Sequence, residues 1–260
     1  MTKKKGMSWA VIIILIMGFG AGFLANDYLN NRLNISIPIE KSMPVNAGNF
    51  TTRYAEINVV AVTEDGKGLI GRANIELVSG KGRILVNTNP FIEADTQFSA
   101  EMAVSYAMNY TNIEFNEYDT IVSFNMSGTD SRGQVVGGPS AGAALTIAAI
   151  AVLENKRVRN DVAATGTIEP DGYVGHVGGV FEKAAASGEA GMKIFLVPEG
   201  QGKFVYYEKN VTIERRGPFQ VRRVQYVPVN VDLSNYTMTE WNMATYEMTK
   251  VEDALAYVLE

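Results

Sequence analysis

The sequence contains no cysteine and a single histidine, His176. Without thiols there is no disulfide, no Cys-ligated zinc and no thiol nucleophile. One imidazole per chain is too few for a multi-His metal centre. No stretch matches Gly-x-x-x-x-Gly-Lys-Ser/Thr, the loop whose backbone amides cradle nucleotide phosphates. Positive charge is scarce as well. The chain carries 23 Lys and Arg against 28 Asp and Glu, a net charge of −5, and three of the lysines are Lys3, Lys4 and Lys5. The part beyond them is acidic, which argues against nucleic acid as a partner. What remains calls for no cofactor.

What is present begins with a long apolar run. Residues Gly6 to Asn26 are uncharged and centre on Val11-Ile12-Ile13-Ile14-Leu15-Ile16-Met17. At ~1.5 Å per residue such a helix spans the ~30 Å core of a bilayer. The chain thus reads as a basic cytoplasmic tail over 1–7, a single-pass membrane anchor over 8–25 and an extracytoplasmic remainder. A cleaved signal peptide has the same order of charge and apolarity, and Gly20-Ala21-Gly22 would suit cleavage. The run exceeds the ~7–15 residues of a signal core, which favours the anchor. Residues 26–50 are polar, carry Pro38 and Pro44, and read as a linker. Asn-X-Ser/Thr sequons begin at Asn34, Asn49, Asn109, Asn125, Asn210 and Asn235, in keeping with an exterior location.

From Tyr54 the pattern becomes β-like. Runs at Ile57–Val62, Gly71–Val78 and Arg83–Val86, separated by glycine turns, predict an antiparallel meander. Helical spacing follows over Thr96–Asn109, then a strand over Thr120–Met126. A small-residue helix over Ala143–Leu153 precedes a strand over Val162–Ile168. Next come a helix starting near Val180 and ending near Gly188 or Gly191, and a buried strand over Lys193–Pro198. Gly200–Asn242 reads as less regular, and Val251–Leu259 as a final amphipathic helix. The expected domain is 51–200, with 201–260 an extension whose last helix packs on the core.

The chemistry concentrates in Val136-Gly137-Gly138-Pro139-Ser140-Ala141-Gly142. A serine among glycines at a helix start has an exposed hydroxyl and orphan amides beside it. Pro139 suits a first helical turn. Backbone donors for an oxyanion would come from Ser140 or from Gly137 and Gly138, since proline has none. A serine hydroxyl needs a base. His176 with Asp171 or Asp161 is one candidate. Lys183 is the better one. It lies early on an alanine-faced helix, where desolvation and the helix N-terminus both disfavour its ammonium form.

Four motifs in this order resemble the proteolytic domain of Lon proteases. They are Gly138-Pro139-Ser140-Ala141-Gly142, Asp161-Val162-Ala163-Ala164-Thr165-Gly166, Gly172-Tyr173-Val174 and Gly178-Gly179-Val180-Phe181-Glu182-Lys183. The resemblance covers roughly Tyr54 to Pro198 plus the last helix. It implies an α/β (α+β) fold of Lon type, here preceded by one N-terminal transmembrane helix. It also implies a Ser-Lys dyad in which Ser140 is the nucleophile and Lys183 the general base, with Thr165 positioning the lysine. A homo-oligomeric ring, commonly a hexamer, is a further implication.

Three departures stand out. The acidic residue usual three positions before the serine is Gly137, the 200–242 stretch is longer and more polar, and no ATPase module occurs. The expected function is a membrane-anchored, ATP-independent serine endopeptidase acting on unfolded proteins or peptides. A catalytically inactive scaffold of the same fold, and a protease served by an ATPase in trans, are the rival readings.

Overall fold

The computed structural model describes residues 53–113, 117–126 and 135–260. The expected anchor at 8–25 and linker at 26–50 lie outside the described residues. Among the described residues no helix is long and apolar enough to cross a membrane.

The central sheet takes its shape from runs of Val, Ile, Ala and Leu with few charges. Strand β1 (Arg53–Val62) pairs antiparallel with β2 (Gly68–Ser79) across the Glu64–Lys67 turn. The next strand, β3 (Ile84–Val86), does not continue the expected meander. The other edge of β2 is taken by β5 (Tyr118–Met126), and β3 adds beyond it in parallel. Asp119 explains the detour. Its carboxylate accepts the Lys81 and Arg83 amides at 2.8 and 3.0 Å and the Arg83 Nε at 2.9 Å, tying the incoming chain to the start of β5. The Arg83 guanidinium and the two amides hold the Asp119 carboxyl far below the usual carboxylate range. On the other side of β1 the pairing is parallel, through β7 (Val162–Ala164), β10 (Ile194–Pro198) and β13 (Ala244–Met248). The strand order is β13-β10-β7-β1-β2-β5-β3.

Two short pairs flank the sheet. β4 (Phe91–Ile92) pairs with β6 (Val135–Val136), and β8 (Thr167–Ile168) pairs with β9 (Val174–Gly175). The expected strand over 162–168 is therefore broken in two between Ala164 and Thr167.

Side chains alternate between the faces of a strand, and here both faces are covered. Val59, Val162, Ala164 and Leu196 enter one core with α1 (Ala94–Thr111) and α2 (Gly142–Leu153). Val60, Ala163, Phe195 and Val197 enter a second core under α3 (Val180–Glu189), with Leu233 and Met243. This two-sided burial is why the inner strands are uninterrupted apolar runs. Helix α2 is buried at every position. Its one polar side chain, Thr146, satisfies itself by donating to the Gly142 carbonyl at 2.8 Å.

The largest correction concerns 200–242. Rather than a less regular stretch, it is a long ribbon of β11 (Lys203–Arg216) and β12 (Phe219–Asp232), followed by α4 (Leu233–Trp241). Asp232 caps α4 by accepting the Asn235 amide at 3.1 Å. The final helix, α5 (Glu252–Val258), sets Ala254 and Val258 into the first core.

Phe195 is fully buried between sheet and helix, whereas Phe219 at the ribbon tip is 71% exposed. Phe195→Ala should cost ~3–5 kcal/mol in urea denaturation. Phe219→Ala should stay within about 0.5 kcal/mol of the parent.

Candidate active site

The Ser140 turn is gripped from two sides. From one side come groups on the first turns of α1. Thr96 Oγ1 donates to the Gly138 carbonyl at 3.0 Å, and Ser99 Oγ donates to the Pro139 carbonyl at 3.1 Å. The Gly138 amide donates to Asp95 Oδ1 at 3.2 Å. From the other side come residues just after β7. The Gly166 amide donates to the Ser140 carbonyl at 2.9 Å, and the Ala143 amide to the Gly166 carbonyl at 3.0 Å.

Two glycines allow this grip. Gly138 has φ +90°, a left-handed conformation costly for any other residue. At Gly142 a Cβ would stand 2.8 Å from both Ile168 Cγ2 and Ser99 Oγ, so only glycine lets α2 start this close to its neighbours. Pro139–Ala141 form a single 3-10 turn that leads directly into α2. Ser140 is thus half-buried at the mouth of a fully buried helix.

Lys183 sits in the first turn of α3 and is 4% exposed. Its Nζ donates to Thr165 Oγ1 at 3.1 Å, and Thr165 Oγ1 donates in turn to the Ser140 carbonyl at 3.2 Å. Thr165 is completely buried. Burial pushes the Lys183 amine down from 10.5 to about 8. At pH 7 roughly a tenth of the population then holds a neutral amine able to accept a proton. The amine and Ser140 line one cleft of about 390 Å³, together with Val62, Gly137, Gly138, Val177 and Gly178. Among the described residues the Ser140 hydroxyl has no hydrogen-bond partner. Catalytic contacts are commonly loose before substrate binds, and here the two groups are joined through Thr165 rather than directly.

The three residues predicted to work together, Ser140, Thr165 and Lys183, therefore converge. The histidine alternative does not assemble. His176 lies at the cleft rim, but its Nε2 donates to the Glu199 carbonyl at 2.8 Å. Asp161 is held by Arg159 at 2.8 and 3.0 Å, and the Asp171 carboxylate faces the Tyr173 amide. Neither carboxylate touches the imidazole. Of the expected oxyanion donors, the Gly138 amide is engaged by Asp95, while Gly137 lines the cleft.

Sequence reasoning missed the acidic and hydroxyl residues of α1 that build this site. A Cβ on Gly137 would fall 2.0 Å from Glu93 Oε2. The space for a side chain at 137 is filled by a carboxylate from elsewhere in the chain. Glu93, Asp95, Thr96 and Ser99 look like ordinary helix-start residues, and their contacts with 137–139 span some forty positions. Among the described residues no group of three or more His, Cys, Asp or Glu could hold a metal ion.

The chain is similar to known proteins. The model of the Lon protease (S16) C-terminal proteolytic domain matches residues 57–224. The chain is 35% identical over 157 residues to a Lon protease of Desulfatibacillum aliphaticivorans, covering 59% of this chain and 18% of that protein. It is 30% identical over 223 residues to Lon protease 1 of Myxococcus xanthus, covering 78% of this chain and 26% of that one. A shorter stretch of 62 residues is 48% identical to a Lon protease of Fusobacterium nucleatum, covering 24% of this chain and 8% of the relative. The chain thus spans about a quarter or less of these relatives.

The lowered Lys183 value has consequences of opposite sign for stability and chemistry. The unfolded chain holds the Lys183 proton up to pH 10.5, the folded chain only to about 8. Stability should therefore rise with pH between these values, and below pH 8 the full penalty of about 3 kcal/mol applies. Lys183→Met should stabilise the protein at pH 7 by up to that amount in chemical denaturation while abolishing peptide cleavage. Thr165→Val should lower kcat by roughly 10- to 100-fold and displace the basic rise of the pH profile, with Thr165→Ser restoring most of it.

Proposed function

The chain belongs to the Lon (S16) proteolytic-domain family, and on that premise we propose that it is a membrane-anchored serine endopeptidase that cuts unfolded polypeptide without ATP. The observation that carries this reading is the buried Lys183 amine, tied through Thr165 to the Ser140 turn and open to the same cleft. A solvated lysine would stay protonated at neutral pH and could not serve as a base.

In the proposed reaction Ser140 Oγ attacks the scissile carbonyl while Lys183 Nζ takes the hydroxyl proton. The oxyanion forms at the start of α2, where the helix N-terminus favours negative charge. Substrate oxygen must compete there with Asp95 for the Gly138 amide. Lys183 then returns its proton to the leaving amine, and the acyl-enzyme is hydrolysed by water that the same amine deprotonates.

ATP independence is part of the same reading and is tested directly by adding ATP. Membrane anchoring is supported by the basic-then-apolar order of residues 1–26. Assembly into a ring is part of the same proposal and rests on the family resemblance. The inactive-scaffold reading drew on the glycine at 137. That support weakens now that Glu93 fills the space beside it.

The test is casein digestion by the detergent-solubilised full chain. Ser140→Ala should lose at least about 10³-fold in rate, and ATP with Mg²⁺ should change nothing. Cleavage by Ser140→Ala at the parental rate would overturn the assignment. Stimulation by ATP would overturn the ATP-independent part alone.

A further inference from the structure

A second hollow, of about 450 Å³, lies beside the active cleft. The two share one wall, formed by His176 and Val177. One side of the hollow is apolar, with Val180 and Phe181 from the first turn of α3 and Phe204 from the root of the ribbon. At about 3.6 residues per turn, Phe181 and Lys183 project from nearly opposite sides of α3. The helix thus presents its amine to the cleft and an aromatic ring to the hollow.

The shared wall is stiffened from outside. Gln201 acts on Val177 as a neighbouring strand would. The Val177 amide donates to Gln201 Oε1 at 2.9 Å, and Gln201 Nε2 donates to the Val177 carbonyl at 2.8 Å. With Gly178 and Gly179 next in the chain, this stretch has little stiffness of its own. Phe181 is braced as well, by Phe204 at 5.8 Å and Tyr236 at 5.2 Å, yet it stays 36% exposed. Rings fixed in place and still open to water gain free energy when covered, with little side-chain freedom left to lose. Gly178, also on the cleft, is exposed, and a Cβ there would meet nothing within 4 Å. Its amide and carbonyl have no hydrogen-bond partner among the described residues. An extended polypeptide lying in the cleft can cross into the hollow over this open main chain.

The lining indicates what fits. Glu182 and Lys203 bring one charge of each sign, so the hollow selects neither acidic nor basic groups. Phe181 and Phe204 suit an aromatic or large aliphatic side chain. Folded proteins bury such residues, and unfolded segments expose them. A helix with its side chains is about 10–12 Å across, and an extended chain advances ~3.3 Å per residue, so the hollow lies about three or four residues from the scissile bond.

We propose that the Phe181–Phe204 hollow is an outlying substrate subsite, which takes an aromatic or large aliphatic side chain about three or four residues from the bond that is cut. Resting on the peptidase reading, this subsite narrows the substrate to segments that expose such residues at that distance.

Casein cuts made by the detergent-solubilised full chain are mapped by mass spectrometry, which locates the position where aromatic and large aliphatic residues are enriched. A quenched fluorescent peptide spanning one such cut is then compared with the same peptide carrying alanine at that position. The aromatic peptide should have a kcat/KM higher by about tenfold or more, expressed mainly in KM. Phe204→Ala should reduce that ratio to about twofold or less, and Phe204→Leu should keep most of it. As a readout that does not depend on disruption, a photoreactive phenylalanine analogue at that peptide position should label residues 176–204 of the Ser140→Ala chain. Cuts without such enrichment would overturn the subsite and leave the peptidase reading standing. So would a ratio unchanged by Phe204→Ala, or labelling confined to lipid or to other parts of the chain. If the parent chain cuts nothing, the peptidase reading falls and the subsite falls with it.

Discussion

An amine taken out of water is the constraint on which the site depends. Lys183 is 4% exposed, and its one described hydrogen-bond acceptor is the Thr165 hydroxyl. An ammonium in water keeps three donors satisfied. Here desolvation outweighs a single neutral acceptor, and the amine is held near 8. The cleft that Lys183 lines is walled on its apolar side by Ala61, Val62 and Val177. No carboxylate pairs with the amine among the described residues. A carboxylate there would raise its pKa and remove its use as a base. The fold accepts a local loss of stability at neutral pH, which is typical where activity needs a destabilised group.

The second constraint is how close the two helices that meet at Ser140 may come. Helix α2 runs buried along its full length between the sheet and α1, which is why it consists of Gly, Ala, Leu, Ile, Val and one self-satisfied Thr. The 3-10 turn before it carries the candidate nucleophile. It is fixed by Ser99 and Thr96 on one side and by Thr165 and Gly166 on the other. The same Ser140 carbonyl receives both Thr165 and Gly166. Thr165 thereby registers the lysine to the main chain of the serine turn, and the Ser140 hydroxyl stays uncommitted.

Local signals were legible in the sequence, and long-range ones were not. Ser140, Thr165 and Lys183 could be named because each sits in a short motif with a local meaning. These are a glycine-rich helix start, a strand end before Gly166, and a helix start after Gly178-Gly179. The inner strands could be named because burial on both faces leaves unbroken apolar runs. The position of β3 could not, because it depends on Asp119 gathering amides from a separate segment. The role of Glu93 beside Gly137 was hidden for the same reason. The ribbon was missed differently. Gly217-Pro218 is a turn signal, but valines lie on both faces of β12 and Pro228 interrupts it, so no clean alternation marks the strand.

The net charge hid a segregation that the topology exposes. A value of −5 suggests a mildly acidic surface. The fold instead gathers six basic residues onto one ribbon and leaves the acidic excess on the body. Along the ribbon the basic side chains are interleaved with the exposed Tyr207, Ile213 and Tyr226. The ribbon root bears on the site as well. Phe204 and Phe181 pack together beside His176 and Val177 at the cleft rim, and Phe181 lies on α3 two residues before Lys183. The ribbon root thus packs directly against the helix that carries the base.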